Sequence, residues 1–225
     1  ECENLKDVYA GSVASWVNIS FDGPNSNPVC FAGNLYFNNV LATDIVIPDG
    51  VTEIKSYVFN YCDTITSITI PDSVTSIGNS TFFDCNGLKD VFADNIASWI
   101  NIDFYNLSSN PMAYAQNLYF NNVLVTNVII PDGTTLVKDY TFYDCDCLES
   151  ITIPDSVAAI GTNNFCEYTM VIANKDSYAI SWAMQNNKAY ALADPVTPED
   201  NIISEVVNAK LSYTIDKLSR TLTIN

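Results

Sequence analysis

The chain has 225 residues, with 9 Lys and Arg against 26 Asp and Glu, a formal net charge of −17, and no His. This balance excludes a basic nucleic-acid surface, which needs clustered Lys and Arg, and the missing His removes the commonest general base and metal ligand. Hydrophobic residues make up 48% of the chain, enough for a folded core, and no apolar run approaches the ~18 residues that a membrane span requires.

Two nested internal repeats organise the sequence. A short run of alternating apolar residues followed by Pro-Asp occurs four times, at 45–51, 68–74, 128–133 and 151–157. The copies within each pair lie 23 residues apart, and the two pairs lie 83 residues apart, as do Trp16 and Trp99. Residues 1–170 are therefore predicted to be a repeat array built on two 83-residue super-repeats, 5–87 and 88–170.

Each 23-residue repeat predicts one coil of a stacked structure. Ile68 and Ile70 alternate with a polar residue, the period of a strand with one buried face. Pro71 ends this strand because it lacks the ladder donor. A second short extended piece follows, then Gly78 with an expected positive φ, and then Phe82, which fills the far side of the coil. A unit of this size cannot enclose a core alone, so successive coils are expected to pair their strands in parallel.

A longer segment, 5–43 and again 88–126, lies before each pair of short repeats. In the second copy, Asp94 is predicted to cap a short helix whose Ile96, Trp99 and Ile100 share one face. The extended runs that flank Asn121-Asn122 predict a tight β-hairpin, because Asn tolerates the positive φ of a primed turn. Each longer segment is therefore expected to be an elaborated coil that projects a helix and a hairpin.

The pattern at 68–88 resembles a known family. Ile-x-Ile-Pro-Asp-Ser-Val-x-x-Ile-Gly, then Phe-x-x-Cys and a Leu, is similar to the BspA-like class of leucine-rich repeats, and the likeness covers roughly residues 1–194. The resemblance implies a right-handed leucine-rich-repeat solenoid of short parallel β-strands with turns and short helices. It also implies a secreted or cell-surface protein that adheres to extracellular host or microbial proteins.

Both ends depart from the regular pattern. The first residues align with the middle of a repeat, so we expect the chain to be a fragment of a longer protein. Residues 171–194 resemble the closing helical cap of the family, with Ala179, Trp182 and Ala183 toward the core. A Pro- and acid-rich linker is predicted at 195–208, and alternating residues predict a truncated β-hairpin at 209–225, the start of a small β module.

The cysteines recur at one phase of the repeat. Cys62, Cys85 and Cys145 each follow a Phe by three residues, and Cys2 shares the phase. Residues at one phase stack into a column, so a buried structural ladder of thiols is expected. A Cys62–Cys85 disulfide is the alternative, because adjacent coils bring equivalent Cα atoms within disulfide range. A metal site is expected less, since Cys145 and Cys147 form the only close pair and no His completes a tetrahedral set.

Carboxylates recur in the Pro-Asp turns. A glycosidase needs two carboxylates beside a cleft. A catalytic pair should depart from the repeat pattern and not recur with it, so these residues are predicted to stabilise the turns. Asp144, Asp146 and Glu149 are the alternative as calcium ligands, although they lack the Gly and the spacing of an EF-hand loop. The turn carboxylates are Asp49, Asp72, Asp132 and Asp155.

The aromatic residues supply the candidate binding positions. Trp16 and Trp99 are expected in the core, whereas Tyr36 and Tyr119, one on each hairpin, are candidate surface anchors because Tyr suits interfaces. The sequence predicts a non-enzymatic protein without cofactor, metal or nucleic-acid partner, which mediates adhesion or protein recognition. The alternative is a carbohydrate-binding or structural spacer module of a larger surface protein.

Overall fold

The structure is a computed structural model that describes residues 4–193 with their side chains and, after them, only the backbone of strands at 202–208, 211–216 and 221–224. Its contacts divide the chain into two compact units. Unit 1 comprises Glu1–Val125, Lys138–Cys147 and Thr162–Asn164, and unit 2 comprises Thr126–Val137, Leu148–Gly161 and Phe165–Asn225. Of the cysteine phase predicted above, Cys2 lies outside the described residues.

Short strands form most of the regular structure. In chain order they are β1 Asp7–Ala10, β2 Asn34–Phe37, β3 Val40–Leu41, β4 Asp44–Val46, β5 Glu53–Ile54, β6 Ser67–Ile70, β7 Ser76–Ile77, β8 Asp90–Ala93, β9 Asp103–Phe104, β10 Asn117–Phe120, β11 Val123–Leu124, β12 Asn127–Ile129, β13 Leu136–Val137, β14 Ser150–Thr152, β15 Ala159–Ile160, β16 Met170–Ala173, β17 Tyr190–Leu192, β18 Ile202–Asn208, β19 Leu211–Asp216 and β20 Thr221–Ile224. The helices are α1 Val13–Val17, α2 Val29–Ala32, α3 Ile96–Trp99 and α4 Tyr178–Gln185, with 3₁₀ turns at Pro24–Ser26, Leu107–Ser109 and Pro111–Ala113.

Parallel ladders hold unit 1 together. β4, β6, β8 and β10 pair in parallel, residue for equivalent residue, and β11 adds an antiparallel edge. β1 and β2 form a second parallel ladder to which β3 adds in the same way, and β5, β7 and β9 form a third. Ile68 and Ile70 are buried, as the alternation predicts. The predicted parallel pairing of equivalent strands is thereby confirmed.

Gly78 differs from its prediction. The described glycines with positive φ are Gly33, Gly50 and Gly133, and Gly78 is not among them. A Cβ at Gly78 would lie 2.5 Å from the backbone nitrogen of Ser56 in the preceding coil. Glycine is therefore required there by close approach between coils, not by a left-handed backbone.

The left-handed positions of the far-side turn carry side chains instead. Tyr57 has φ 64°, and Ser80, one repeat later, has φ 50°. Four residues after each, Tyr61 and Asp84 are left-handed as well, with φ 59° and 60°. Two such residues per coil reverse the chain, and the packing of neighbouring coils maintains a conformation that costs about 1–2 kcal/mol per non-glycine residue.

Helix α3 begins one residue later than predicted. Its N-cap is Asn95, whose side-chain oxygen accepts from the backbone N–H of Ser98 at 3.0 Å. The carboxylate of Asp94 instead accepts from the backbone N–H of Asp72 at 2.8 Å, and so it joins two coils. Trp99 is buried, as predicted. Asn and Asp cap equally well, and the competing contact from the neighbouring coil decides between them.

Unit 2 has its own parallel ladder of β12, β14, β16 and β17. Helix α4 covers β16, with Ser177 as its N-cap and with Ala179 and Ala183 buried. Trp182 is half-buried and packs edge-on against Phe165 at a centroid distance of 5.6 Å. The region predicted as a closing cap thus presents its small residues to the sheet.

Three antiparallel strands, β18 to β20, follow β17 in the same sheet. β18 lies inside the range 195–208, which was predicted to be a linker. Its sequence Ile-Ile-Ser-Glu-Val-Val is rich in β-branched residues, and these favour a strand. The remaining linker residues, 195–201, lie outside the described residues. The right-handed winding and a separate C-terminal β module stay predictions.

Among the described residues, the longest helix is α4, with 8 residues, and none has the length and apolar character needed to cross a membrane.

Close packing between coils predicts that Gly87→Ala strongly destabilises the protein. A Cβ at Gly87 would lie 1.9 Å from the carbonyl oxygen of Asp63, a backbone atom that cannot move away cheaply. We expect the free energy of unfolding to fall by about 2–4 kcal/mol in urea titrations. Gly11→Ala is the matched control, because no atom lies within 4 Å of its Cβ position. Equal stability of the two variants would contradict this account.

Candidate functional site

Two hairpins project from the elaborated coils of unit 1. β2 and β3 are joined by Asn38 and Asn39, with φ 49° and 65°, and β10 and β11 by Asn121 and Asn122, with φ 49° and 62°. Both turns have the positive φ at two successive residues that a primed turn requires. The predicted hairpins are confirmed, and each begins with the strand that carries a candidate Tyr.

A buried Trp anchors each elaborated coil to the coil that follows the hairpin. The Trp16 Nε1–H donates to the carbonyl of Val58 at 2.7 Å, and the Trp99 Nε1–H donates to the carbonyl of Thr141 at 2.9 Å. Both side chains are buried, so their predicted place in the core is confirmed. A buried indole needs such an acceptor, because an unpaired N–H in the core is costly.

A buried Asn makes a second, adjacent anchor. The Asn110 side chain donates to the carbonyl of Tyr140 at 2.7 Å, and its oxygen accepts from the backbone N–H of Met112 at 2.9 Å. Asn27 makes the same bonds 83 residues earlier, to Tyr57 at 2.7 Å and from Val29 at 3.0 Å. These contacts explain the repeated Asn-Pro, and together with the Trp they hold each hairpin-bearing coil in place.

The two candidate tyrosines each stack on an aromatic residue of the neighbouring strand. Tyr36 stacks on Tyr9, with ring centroids 4.7 Å apart and planes 18° apart, and Tyr119 stacks on Phe92, at 4.7 Å and 16°. Each pair consists of directly opposite residues of parallel strands. Tyr9 is 61% exposed, and the other three rings are half-buried. One face of each ring is therefore covered by its neighbour.

A cross-strand Asp–Asn pair lies two residues before each aromatic pair, on the same face of its sheet. The Asn34 amide donates to the Asp7 carboxylate at 3.0 Å, and the Asn117 amide donates to the Asp90 carboxylate at 2.9 Å. The four residues Asp7, Tyr9, Asn34 and Tyr36 are here called site A. Their equivalents 83 residues later, Asp90, Phe92, Asn117 and Tyr119, are called site B.

The carboxylate and the phenol of each site interact. The pKa of Tyr36 is raised by desolvation first, then by the charges of Asp7 and Tyr9, and by its hydrogen bond to Asp7. The pKa of Tyr119 is raised in the same way by desolvation, by the charge of Asp90 and by a hydrogen bond to it. The phenols therefore stay protonated at neutral pH.

Neither carboxylate has a basic partner within residues 4–193, whose side chains the structure describes. The ion pairs among the residues described with side chains are Lys55–Glu53 and Lys138–Asp103, and neither involves Asp7 or Asp90. Both aspartates are half-buried.

Apolar side chains border the sites on the same face. Leu124 lies opposite Tyr119 in the hairpin and is 41% exposed, and Leu41 lies opposite Tyr36. On the other side of Phe92 the row continues through Thr69 to Val46, which is 61% exposed. The outer face of these sheets thus presents aromatic and aliphatic groups beside an acidic row.

The sequence predicted one residue of each aromatic pair. Tyr36 and Tyr119 were identified from the hairpins, but Tyr9, Phe92 and the Asp–Asn pairs were missed. The 83-residue spacing of Asp7 and Asp90 was an available signal for the acidic positions. The pairing itself depends on strand register across 27 residues, which no local pattern shows.

The predicted ladder cysteines of unit 1 are buried. Cys62 and Cys85 are free thiols rather than a disulfide, and the Cys85 thiol donates to the carbonyl of Phe59 at 2.9 Å. Desolvation by burial raises the pKa of both thiols. Cys145 is buried as well.

The carboxylates of the Pro-Asp turns are exposed, and this holds for all four predicted members, Asp49, Asp72, Asp132 and Asp155.

The chain is similar to proteins of known type. The sequence model described as BspA type leucine rich repeat region matches residues 31–113 and 113–177, in six copies. No curated protein matches the chain.

Two solved structures are similar. A leucine rich cell surface protein from Faecalibacterium prausnitzii A2-165 is 22% identical over 57% of this chain and 40% of its own, with a TM-score of 0.32. A leucine-rich repeat protein from Bacteroides ovatus ATCC 8483 is 21% identical over 74% of this chain and 63% of its own, with a TM-score of 0.23. The chain spans less than two thirds of the length of either protein.

The Asn anchor predicts that Asn110→Ala lowers stability, because the carbonyls of Tyr140 and Thr141 and the N–H of Met112 lose a buried partner. We expect a loss of about 2–4 kcal/mol in the free energy of unfolding, measured in urea. Asn101→Ala is the control, since that side chain is exposed, and its loss should be about 0.5 kcal/mol or less. Losses of equal size would refute a structural role for the anchor.

The thiols predict a pattern of alkylation by iodoacetamide. Because burial raises the pKa of Cys62 and Cys85, little thiolate forms at pH 8, and both should stay unmodified in the native protein. Cys147, which is half-exposed, should react before these two, and all three should react once the protein is unfolded. Peptide mass spectrometry reports the order. A disulfide-linked peptide containing Cys62 and Cys85 would contradict the structure.

Proposed function

Because the chain belongs to the BspA type leucine rich repeat family, we propose that it is a non-enzymatic recognition module of a secreted or cell-surface protein, which mediates adhesion to extracellular proteins of a host or of other microbes. The observation that carries the proposal is the outer face of the unit 1 sheets. There, exposed aromatic and aliphatic side chains lie beside carboxylates that have no ion-pair partner among the residues described with side chains. Such a mixed surface suits a protein partner, since aromatic anchors supply contact area and charge supplies specificity.

The net charge of the chain also supports a protein partner. A chain with a formal charge of −17 attracts basic surfaces and repels acidic ones over roughly a Debye length, about 8 Å at physiological salt. The expected partner is therefore a protein with a basic patch rather than a nucleic acid.

Carbohydrate binding is the second candidate, and the ring geometry favours it less. Sugars stack on open aromatic faces, whereas Tyr36 and Tyr119 each have one face covered by the neighbouring ring. A spacer role in a larger surface protein is the third candidate, and it requires no recognition at all.

The non-enzymatic character of the module is supported by the placement of its carboxylates. Asp49 and Asp72 recur with the repeat and are exposed in turns, where Asp is a common turn residue. The raised pKa values of Cys62 and Cys85 leave buried thiols with little nucleophilic thiolate.

Binding of the purified chain to paired arrays of extracellular host proteins and of glycans tests the proposal. We expect hits among basic proteins that weaken as NaCl is raised from about 0.15 to 0.5 M, because screening shortens the reach of the charges. An unrelated acidic protein of similar net charge is the control for non-specific attraction. A glycan hit that is unaffected by salt would replace the proposal with carbohydrate binding, and no hit on either array would favour a spacer.

A further inference from the structure

We propose that sites A and B each bind the side chain of a basic residue, arginine above all, that a partner protein presents. The inference rests on the proposed function and deepens it, because it names the chemistry that the partner must carry. It also assigns two equivalent binding positions within unit 1.

Each site offers a carboxylate prepared for a cation. Asp7 is half-buried, and the amide of Asn34 donates to its Oδ1 and holds its orientation. A carboxylate has about four lone-pair positions, so the Asn34 amide leaves room for a bidentate guanidinium. No ammonium or guanidinium among the residues described with side chains pairs with it. An incoming cation would neutralise a charge that the fold leaves uncompensated.

The aromatic pair completes the match to a long basic side chain. A guanidinium on the carboxylate places its aliphatic stem along the ring pair and toward Leu41 or Leu124, which lie opposite the tyrosines. Arginine and lysine bury their stems on apolar surface while the charged head stays polar, and the planar guanidinium also stacks on open rings. Tyr9 is 61% exposed, whereas Phe92 is half-buried, so site A should bind more tightly than site B.

The same ladder contains an internal comparison. Asp44 occupies the equivalent acidic position in β4, where it accepts from the hydroxyl of Ser67 at 2.7 Å. The outward residues two positions later are Val46 and Thr69, so this carboxylate has no aromatic pair beside it. If a carboxylate with a cross-strand hydrogen bond were enough to bind arginine, Asp44 would bind it as well as Asp90 does. If the aromatic pair makes the site, only Asp90 and its equivalent Asp7 bind.

Duplication gives the module two such sites. Because the sites occupy equivalent positions in the two 83-residue super-repeats, a partner with two suitably spaced basic residues could engage both. The second contact is then intramolecular, and the affinity rises without new chemistry.

The test uses a synthetic 12-residue peptide with one central Arg flanked by Leu and Gly, and the same peptide with citrulline, which keeps the shape of Arg and removes its charge. Binding to the intact chain is followed by NMR with ring-labelled Tyr. We expect the Arg peptide to shift the ring resonances of Tyr9, Tyr36 and Tyr119 with a stoichiometry of two. The citrulline peptide should have an affinity at least about tenfold lower.

Variants locate the binding. Asp7→Asn with Asp90→Asn should reduce the affinity for the Arg peptide about tenfold or more, and either single change should leave one site. Asp44→Asn with Asp49→Asn changes the net charge equally, lies in the same unit, and should leave the affinity within about twofold. Tyr36→Leu with Tyr119→Leu is a second pair of changes, which removes one ring from each site and retains the carboxylates. Thermal unfolding of each variant verifies that the fold is kept.

The outcomes separate this inference from the proposed function. Equal losses in the site and control variants, or equal binding of the citrulline peptide, would overturn the inference in favour of general charge attraction. Protein hits on the array that survive Asp7→Asn with Asp90→Asn would support the proposed function and refute the sites. Specific Arg-peptide binding without any protein hit would support the sites and count against adhesion.

Discussion

The structure depends on in-register backbone pairing between equivalent strands of successive coils. The strands up to β17 have only two to four residues, and a 23-residue coil cannot enclose a core, so neither element is stable alone. Parallel pairing of β4, β6, β8 and β10 places each buried Ile or Val above its equivalent. The same register places every outward residue above its equivalent in the next strand, so outward side chains at equivalent positions form a row across the sheet.

That constraint explains why the elaborated coils need anchors. A hairpin inserted into a ladder interrupts it, since β3 and β11 run antiparallel to the strands they join. Hydrogen bonds from the buried side chains of Trp16 and Asn27, and of Trp99 and Asn110, tie these coils to a later one. The hairpin strands then retain the register that stacks Tyr36 on Tyr9 and Tyr119 on Phe92. Surface and core are thus specified by one set of contacts.

Much of the fold could be predicted from the sequence, because its determinants are local and repeated. Alternation predicted the strands, and Asn-Asn predicted the hairpin turns. The failures share one cause. Gly78 is required by a coil 23 residues earlier, and Asp94 leaves the capping position to Asn95 because it bonds a neighbouring coil. Neither contact has a local signature in the chain.

The candidate sites divide in the same way. The sequence by itself determined the repeat, the strand phase, the acidic character and the presence of Tyr36 and Tyr119 on hairpins, since these follow from composition and short-range periodicity. Only the tertiary structure decided that a neighbouring aromatic ring covers one face of each Tyr ring, and that Asp7 belongs to site A and Asp90 to site B. Those relations depend on which residues register brings together across about 5 Å between strands, and that distance is unrelated to separation along the chain.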